Sequence, residues 1–223
     1  MSIRCAFVFP GQGSQAMNMG KDFFENSPIA KEMFMEAKER TGIDFETLLF
    51  TENENLSQTE FTQPAILLIS SIANKLFAQR TGIVPTLTLG HSLGEFSALV
   101  ASGAIDAIDA VELVNLRGRL MSEACKDKEV GMLVSLGLDD ATVEQICSNA
   151  RDNDKQVWAV NYNSDGQIVI AGIKKDLEEL ADVLKDAKAK RAMLLNMSVA
   201  SHCPLLESAT GPLALKLQEV IKD

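Results

Sequence analysis

Ser92 stands at the centre of Gly90-His91-Ser92-Leu93-Gly94, a G-x-S-x-G pentapeptide with the makings of a nucleophile. The pentapeptide follows an apolar, β-branched run, Val84 to Leu89, and opens a helix-like stretch, Glu95 to Ser102. Strand, tight turn, helix is the setting that leaves a serine hydroxyl at a turn's tip, because glycines permit a backbone path that a Cβ would obstruct. The helix behind aims its free N–H groups and its dipole back at the reacting atom. Such a serine needs a base, and the chain has two histidines. His91 is the immediate neighbour of Ser92, and adjacent side chains diverge at a sharp turn, so it reads as a packing or pocket-wall residue. His202 remains as the base, imidazole being the side chain best matched to proton transfer near neutral pH. Cys203 beside it suggests a Cys–His dyad, but consecutive residues do not easily make that hydrogen bond and nothing else activates the thiol.

Two further residues attract notice. From Asp109 onward the sequence splits into stripes at helical spacing, with Glu112, Asn115, Arg119, Ser122 and Glu123 on a wet face. Leu113, Leu120, Met121 and Ala124 form the dry face, and Arg117 lies among them. An inward guanidinium is costly unless paired, so it calls for either an internal carboxylate or an anionic ligand. Asp109 and Glu112, three apart, read as a capping box with Asp in place of Ser or Thr. Near the N-terminus, Pro10-Gly11-Gln12-Gly13-Ser14-Gln15 follows a strand read over Ile3 to Phe9 as buried. Gly11-x-Gly13-x-x-Ala16 is formally a dinucleotide fingerprint, yet the positions where a second strand and its acid belong are a charged helical stretch, Lys31 to Arg40. There is no G-K-[ST] either. What remains is a glycine loop presenting Gln12 at a strand's C-terminal end, where α/β proteins place their sites.

The elements that must hold these residues are legible in outline. Helices are expected over Pro28 to Arg40 and over Gln63 to Arg80, the latter with Ile66, Ile69, Ala73, Leu76 and Phe77 on one face and Gly82 as a stop. Phe96, Leu99 and Val100 are expected to face inward from the helix after Ser92, with Gly103 as its C-cap. Beyond the charged bridge Lys126 to Glu129 the pattern changes to strand (Met132 to Leu136), helix (from Asp139), strand (Val157 to Asn161), turn, strand (Gln167 to Ala171), helix (from about Lys175) and strand (Ala192 to Val199). β-α-β-β-α-β is the ferredoxin-like signature, so this stretch reads as a small domain inserted in a larger α/β one.

Composition narrows the partners. The 223 residues carry 21 Lys and Arg against 31 Asp and Glu, a net charge of −10, which argues against nucleic acid or an anionic membrane. No apolar run reaches the length of a membrane span, and Cys5 to Phe9 is too short for a signal peptide. The four cysteines are scattered, without a C-x-x-C pair, so neither a metal site nor a disulfide framework is expected, and a cytoplasmic location is the default.

Phe9-Pro10-Gly11-Gln12-Gly13-Ser14-Gln15, Thr62-Gln63-Pro64-Ala65, Gly90-His91-Ser92-Leu93-Gly94-Glu95, Arg117-Gly118 and Ser201-His202, in that order, closely resemble the malonyl-CoA:acyl carrier protein transacylases of bacterial fatty-acid synthesis. The resemblance implies that Ser92 is acylated, His202 is the base, Arg117 binds the malonyl carboxylate, and the N–H groups of Gln12 and Leu93 form an oxyanion hole. It implies malonyl-CoA as substrate, acyl carrier protein as partner and no cofactor. The fold expected is α/β: an α/β-hydrolase-like large domain (residues 1–126, with 200–223 returning to it) and an inserted ferredoxin-like small domain (127–199). Lys190 and Arg191 sit where relatives carry a carrier-docking Lys-Arg, whereas Lys185 and Lys188 read equally as a solvated helix end. Members of the family run several tens of residues beyond Asp223, and two strands are too few for an independent sheet, so a shortened or complemented chain is expected. A serine esterase or thioesterase using the same pair, and a non-catalytic carrier-binding module, stay open at this level, as does methylmalonyl as the acyl group.

Overall fold

The structure, a computed structural model, describes residues 4–197 and 199–222. Ile3 and Ser198, at the edges of two expected elements, lie outside them. The elements run β1 (Ala6–Phe9), α1 (Lys21–Asn26), α2 (Pro28–Thr41), α3 (Phe45–Phe50), α4 (Thr59–Thr81), β2 (Leu87–Gly90), α5 (Gly94–Ser102), α6 (Ala107–Cys125), β3 (Val130–Leu136), α7 (Asp140–Arg151), β4 (Val157–Ser164), β5 (Gln167–Ile173), α8 (Lys174–Asp186), β6 (Arg191–Leu194) and α9 (Glu207–Val220). Helices and strands mix throughout, an α/β fold. Contacts divide the chain into two compact units, Met1–Arg119 with Pro212–Asp223, and Leu120–Gly211. The division falls inside α6, earlier than residue 127.

In the first unit β1 and β2 pair in parallel, Ala6 opposite Leu87 through Phe9 opposite Gly90, so both strands deliver their following loops to one edge. The strands are not the buried pair expected for β1: Phe9 is buried, while Val8, Leu87 and Leu89 are 71%, 53% and 47% exposed. The covered face packs instead, with the Phe7 and Phe77 rings edge-on at 5.3 Å. Helices supply the core of this unit, where Met33, Phe34, Phe45, Leu49, Leu67, Leu68, Ile72, Leu93 and Leu113 cluster. α4 starts four residues earlier than the periodicity predicts, at Thr59. Of its expected apolar face, Ile66 is buried and Ile69 and Leu76 pack against the core, while Phe77 is 43% exposed; Ala65, Leu67, Leu68 and Ile72, off that face, are fully buried as well. The first half of α4 has neighbours on every side, so no single stripe marks it. Gly82 and Gly103 end α4 and α5 in left-handed conformation, as expected. Phe96, Leu99 and Val100 are half-buried against the core, and the fully buried positions of α5 are Gly94, Ser97 and Ala98.

Two expectations for α6 fail. Asp109 does not cap the helix, which begins at Ala107; Asp109 and Glu112 instead both face Arg40, at 2.5 and 3.4 Å. Asn115 is not on a wet face, being only 8% exposed. The reason lies in α4, where Pro64 has no N–H to give the carbonyl of Glu60 four residues back. Asn115 Nδ2 donates to that carbonyl at 2.9 Å.

In the second unit the order β3, α7, β4, β5, α8, β6 builds an antiparallel four-stranded sheet, β4-β5-β3-β6. Asp139 caps α7 by accepting from the Thr142 N–H at 2.9 Å, and the amphipathic helices bury Val143, Cys147, Leu177, Leu180 and Leu184 against the sheet. Several strands extend past their predicted ends; β4 runs to Ser164, so the turn tightens to Asp165-Gly166. The last strand is corrected the other way, ending at Leu194 rather than Val199. Val199 is buried in a second cluster with Met121, Met132 and Leu205.

Candidate active site

Gly90, Ser92 and Gly94 make the sharp turn that the pentapeptide predicts. Ser92 has φ of 51°, a left-handed backbone that a side chain seldom adopts. An added Cβ on Gly90 would overlap the backbone of Gly94 and Glu95, and one on Gly94 would overlap the Phe9 carbonyl and lie 3.0 Å from that of Pro10. The glycines are therefore demanded by backbone meeting backbone. β1 and β2 end side by side, with the His91 N–H donating to the Phe9 carbonyl at 3.1 Å. That pairing lays the Gly11 loop directly along the elbow: a Cβ on buried Gly11 would come within 2.8 Å of the His91 ring. Leu93 is fully buried at the start of α5, where backbone N–H groups point out of the helix.

Gln12 sits in a turn closed by the Ser14 N–H donating to the Gly11 carbonyl at 3.4 Å, with the Ser14 hydroxyl on the same oxygen at 2.8 Å. Gly13, at φ of 106°, supplies the positive dihedral that such a turn requires. The Gln12 side chain is occupied: its Nε2 donates to Thr59 Oγ1 at 3.1 Å.

Arg117 is half-buried, and its guanidinium is turned toward the elbow. Nη1 donates to Gln63 Oε1 at 2.7 Å, and Nη2 lies 3.4 Å from Ser92 Oγ. The guanidinium carbon stands 5.7 Å from the centre of the Phe96 ring, a cation–π arrangement. Among the described residues, the ion pairs do not include Arg117. Burial draws its pKa below the ordinary arginine value and Glu95 opposes the shift, yet a guanidinium remains a cation at any physiological pH. A buried cation held by a neutral amide and a hydroxyl has donors left for an anion. Of the two alternatives that the sequence leaves open, internal acid or anionic ligand, this geometry favours the ligand.

The sequence reading misses what holds Arg117. Gln63 and Thr59 are one turn apart on α4, an i, i+4 pair on a common face, and that spacing is the signal that could have found them. Gly118 lets α6 lie against this turn, since a Cβ there would come 2.8 Å from the Thr59 carbonyl and 2.5 Å from Glu60 Cα. In the second unit, His202 is exposed and has φ of 63°, so it too is presented from a left-handed turn. Cys203 is half-buried with its Sγ on the Ala200 carbonyl at 3.4 Å, and burial raises the thiol pKa, the opposite of activation. Lys190 and Arg191 are both exposed at the start of β6. Lys185 pairs with Asp182 at 2.9 Å, whereas Lys190 and Arg191 enter no ion pair among the described residues. No helix is long and apolar enough to cross a membrane among the described residues.

Comparison with known proteins gives a consistent result. Residues 6–223 match the family described as Acyl transferase domain. Malonyl CoA-acyl carrier protein transacylase of Salmonella typhimurium is 44% identical over 218 residues, which cover 96% of this chain and 70% of that protein. The Bacillus subtilis protein of the same name is 41% identical, with 98% and 68% covered. The crystal structure of the Helicobacter pylori malonyl-CoA:acyl carrier protein transacylase superposes with a TM-score of 0.94 at 43% identity, covering all of this chain and 71% of that one. A malonyl-transacylase solved in complex with its type II PKS acyl-carrier protein gives 0.92 at 41% identity, covering 98% and 71%.

Proposed function

Since this chain belongs to the malonyl CoA-acyl carrier protein transacylase family, we infer that Ser92 carries the malonyl group between two thiols. The enzyme is an acyltransferase that moves malonyl from malonyl-CoA to acyl carrier protein for fatty-acid synthesis. In the first half-reaction Ser92 Oγ attacks the thioester carbonyl and gives its proton to His202. The N–H groups of Gln12 and Leu93 stabilise the oxyanion. Collapse of the tetrahedral intermediate breaks the C–S bond, and the coenzyme A thiolate leaves with the proton from His202. The second half-reaction runs the same steps with the carrier's phosphopantetheine thiol as nucleophile, and it restores the serine.

Arg117 pairs with the free carboxylate of the acyl group in this reading. The observation that carries it is the guanidinium 3.4 Å from Ser92 Oγ, held from behind by Gln63. A short dicarboxylic acyl group on Oγ folds its free carboxylate back onto those N–H donors, in the bidentate geometry that arginine favours. The exposed Lys190 and Arg191 are proposed to receive the acidic carrier. For the fold, we propose an α/β-hydrolase-like large domain (1–126 and 200–223) and a ferredoxin-like insertion (127–199); the sheet order β4-β5-β3-β6 with two helices supports the latter.

Mass spectrometry of the chain after exposure to malonyl-CoA tests the site assignment. The expected result is a malonyl adduct on Ser92 that disappears on adding holo carrier protein, and that His202→Ala forms slowly. An adduct on another residue, or one released equally fast to water, would refute it.

A further inference from the structure

We propose that Thr59 is a specificity-determining positioning residue, which fixes the spacing between the oxyanion donor and the carboxylate clamp. The proposal rests on the roles given above to Gln12 and Arg117. Those two residues come from distant parts of the sequence, yet both are held by one turn of α4. The Gln12 side-chain amide donates to Thr59 Oγ1 at 3.1 Å, and Gln63, four residues on, accepts from Arg117 at 2.7 Å. Thr59 is itself fixed: it is 3% exposed, and its carbonyl lies where a Cβ on Gly118 would stand only 2.8 Å away. The Gln12 loop, by contrast, is a glycine-flanked turn with Gly13 and Ser14 exposed. Buried Gly11 seats the start of the loop against the elbow, and the Gln12 side chain ties its next residue to α4.

A malonyl group has one methylene between its reacting carbonyl and its carboxylate. With the carboxylate gripped by Arg117, the carbonyl has little freedom to follow a displaced donor, and an error below an ångström at such a donor is costly. An acetyl group has no second anchor and can shift with the loop. Thr59 therefore matters more to malonyl than to acetyl, although it touches neither.

The test measures single-turnover acylation of Ser92 by malonyl-CoA and by acetyl-CoA in Thr59→Val, Thr59→Ser and Gln12→Met. Valine keeps the shape of threonine but leaves the Gln12 amide without its acceptor. We expect malonyl acylation to slow about three- to ten-fold, the scale of one hydrogen bond expressed as rate. Acetyl acylation should slow less, so the malonyl-to-acetyl ratio falls, while the KM for malonyl-CoA holds. Thr59→Ser restores the ratio. Gln12→Met removes the same bond from the loop side, so it gives the same signature if Thr59→Val does not fold. Equal slowing of both acyl groups, a loss confined to KM, or an unchanged ratio would overturn the proposal while leaving the acylation of Ser92 standing. A chain in which Ser92 accepts no malonyl overturns this proposal and the site assignment together.

Discussion

Replacing Arg117 with alanine is expected to separate specificity from chemistry. The guanidinium is half-buried and desolvated, and it meets Gln63 Oε1 at 2.7 Å and Ser92 Oγ at 3.4 Å. Removing one partner of a buried, hydrogen-bonded charge pair costs about 2–5 kcal/mol. At 1.36 kcal/mol per factor of ten, malonyl transfer falls about thirty-fold to several thousand-fold. Acetyl has no carboxylate to lose, so its acylation rate stays within about a factor of ten of the unaltered chain. Arg117→Lys keeps the charge but not the fork, and it falls between the two. Rates of acyl-enzyme formation from malonyl-CoA and acetyl-CoA, followed by intact mass, supply the ratio. If Arg117→Ala slows both acyl groups equally, the guanidinium supports the fold or the serine rather than the substrate, and the clamp is refuted.

Reversing charge at Lys190 and Arg191 together is expected to slow transfer to carrier protein about ten-fold or more at low salt, and to leave acylation by malonyl-CoA unchanged; unchanged transfer would place the docking surface elsewhere. Gly94→Ala drives a methyl into the Phe9 carbonyl, so it should lower stability by about 1–3 kcal/mol or more in thermal melts and abolish acylation; a fully active variant would contradict the elbow geometry. Tyr162 is the chain's single tyrosine, and its hydroxyl donates to Glu144 Oε1 at 2.6 Å. That hydrogen bond, with burial, raises its pKa to about 12. Ultraviolet titration should therefore show tyrosinate forming near 12 in the folded chain and near 10 in denaturant. A folded-state pKa raised above the unfolded one means that this contribution to stability is present below about 10 and is lost as pH rises toward 12. Identical midpoints would show that the Glu144 contact does not form.

The elbow was legible because its demands are local: two glycines, a strand before and a helix after leave few alternatives. The inward Arg117 was legible for a similar reason, since helical spacing sets its stripe. The four-stranded unit followed from the order of its elements, each amphipathic with a clear period. What escaped was everything decided by a neighbouring element. Asn115 is polar and reads as wet, yet it is drawn inward by a carbonyl on another helix. Asp109 and Glu112 have cap spacing, but Arg40 claims them. α4 hides its beginning because the buried Thr59, Thr62 and Gln63 interrupt the apolar pattern. β1 is apolar enough to be buried, and its exposed Val8 shows that composition does not say what covers a face.

Pro64 and Asn115 are, in this light, two halves of one statement. The imino acid withholds a donor, and an amide fifty-one positions later provides it, 2.9 Å from the waiting oxygen. The dependence runs one way: with proline at 64, losing Asn115 leaves the oxygen without its donor, whereas an N–H restored at 64 would supply a second donor to an oxygen that has two lone pairs. Among descendants of this chain Asn115 is expected to vary freely only where Pro64 has already been replaced. A substitution table that scores each position separately would misjudge Asn115.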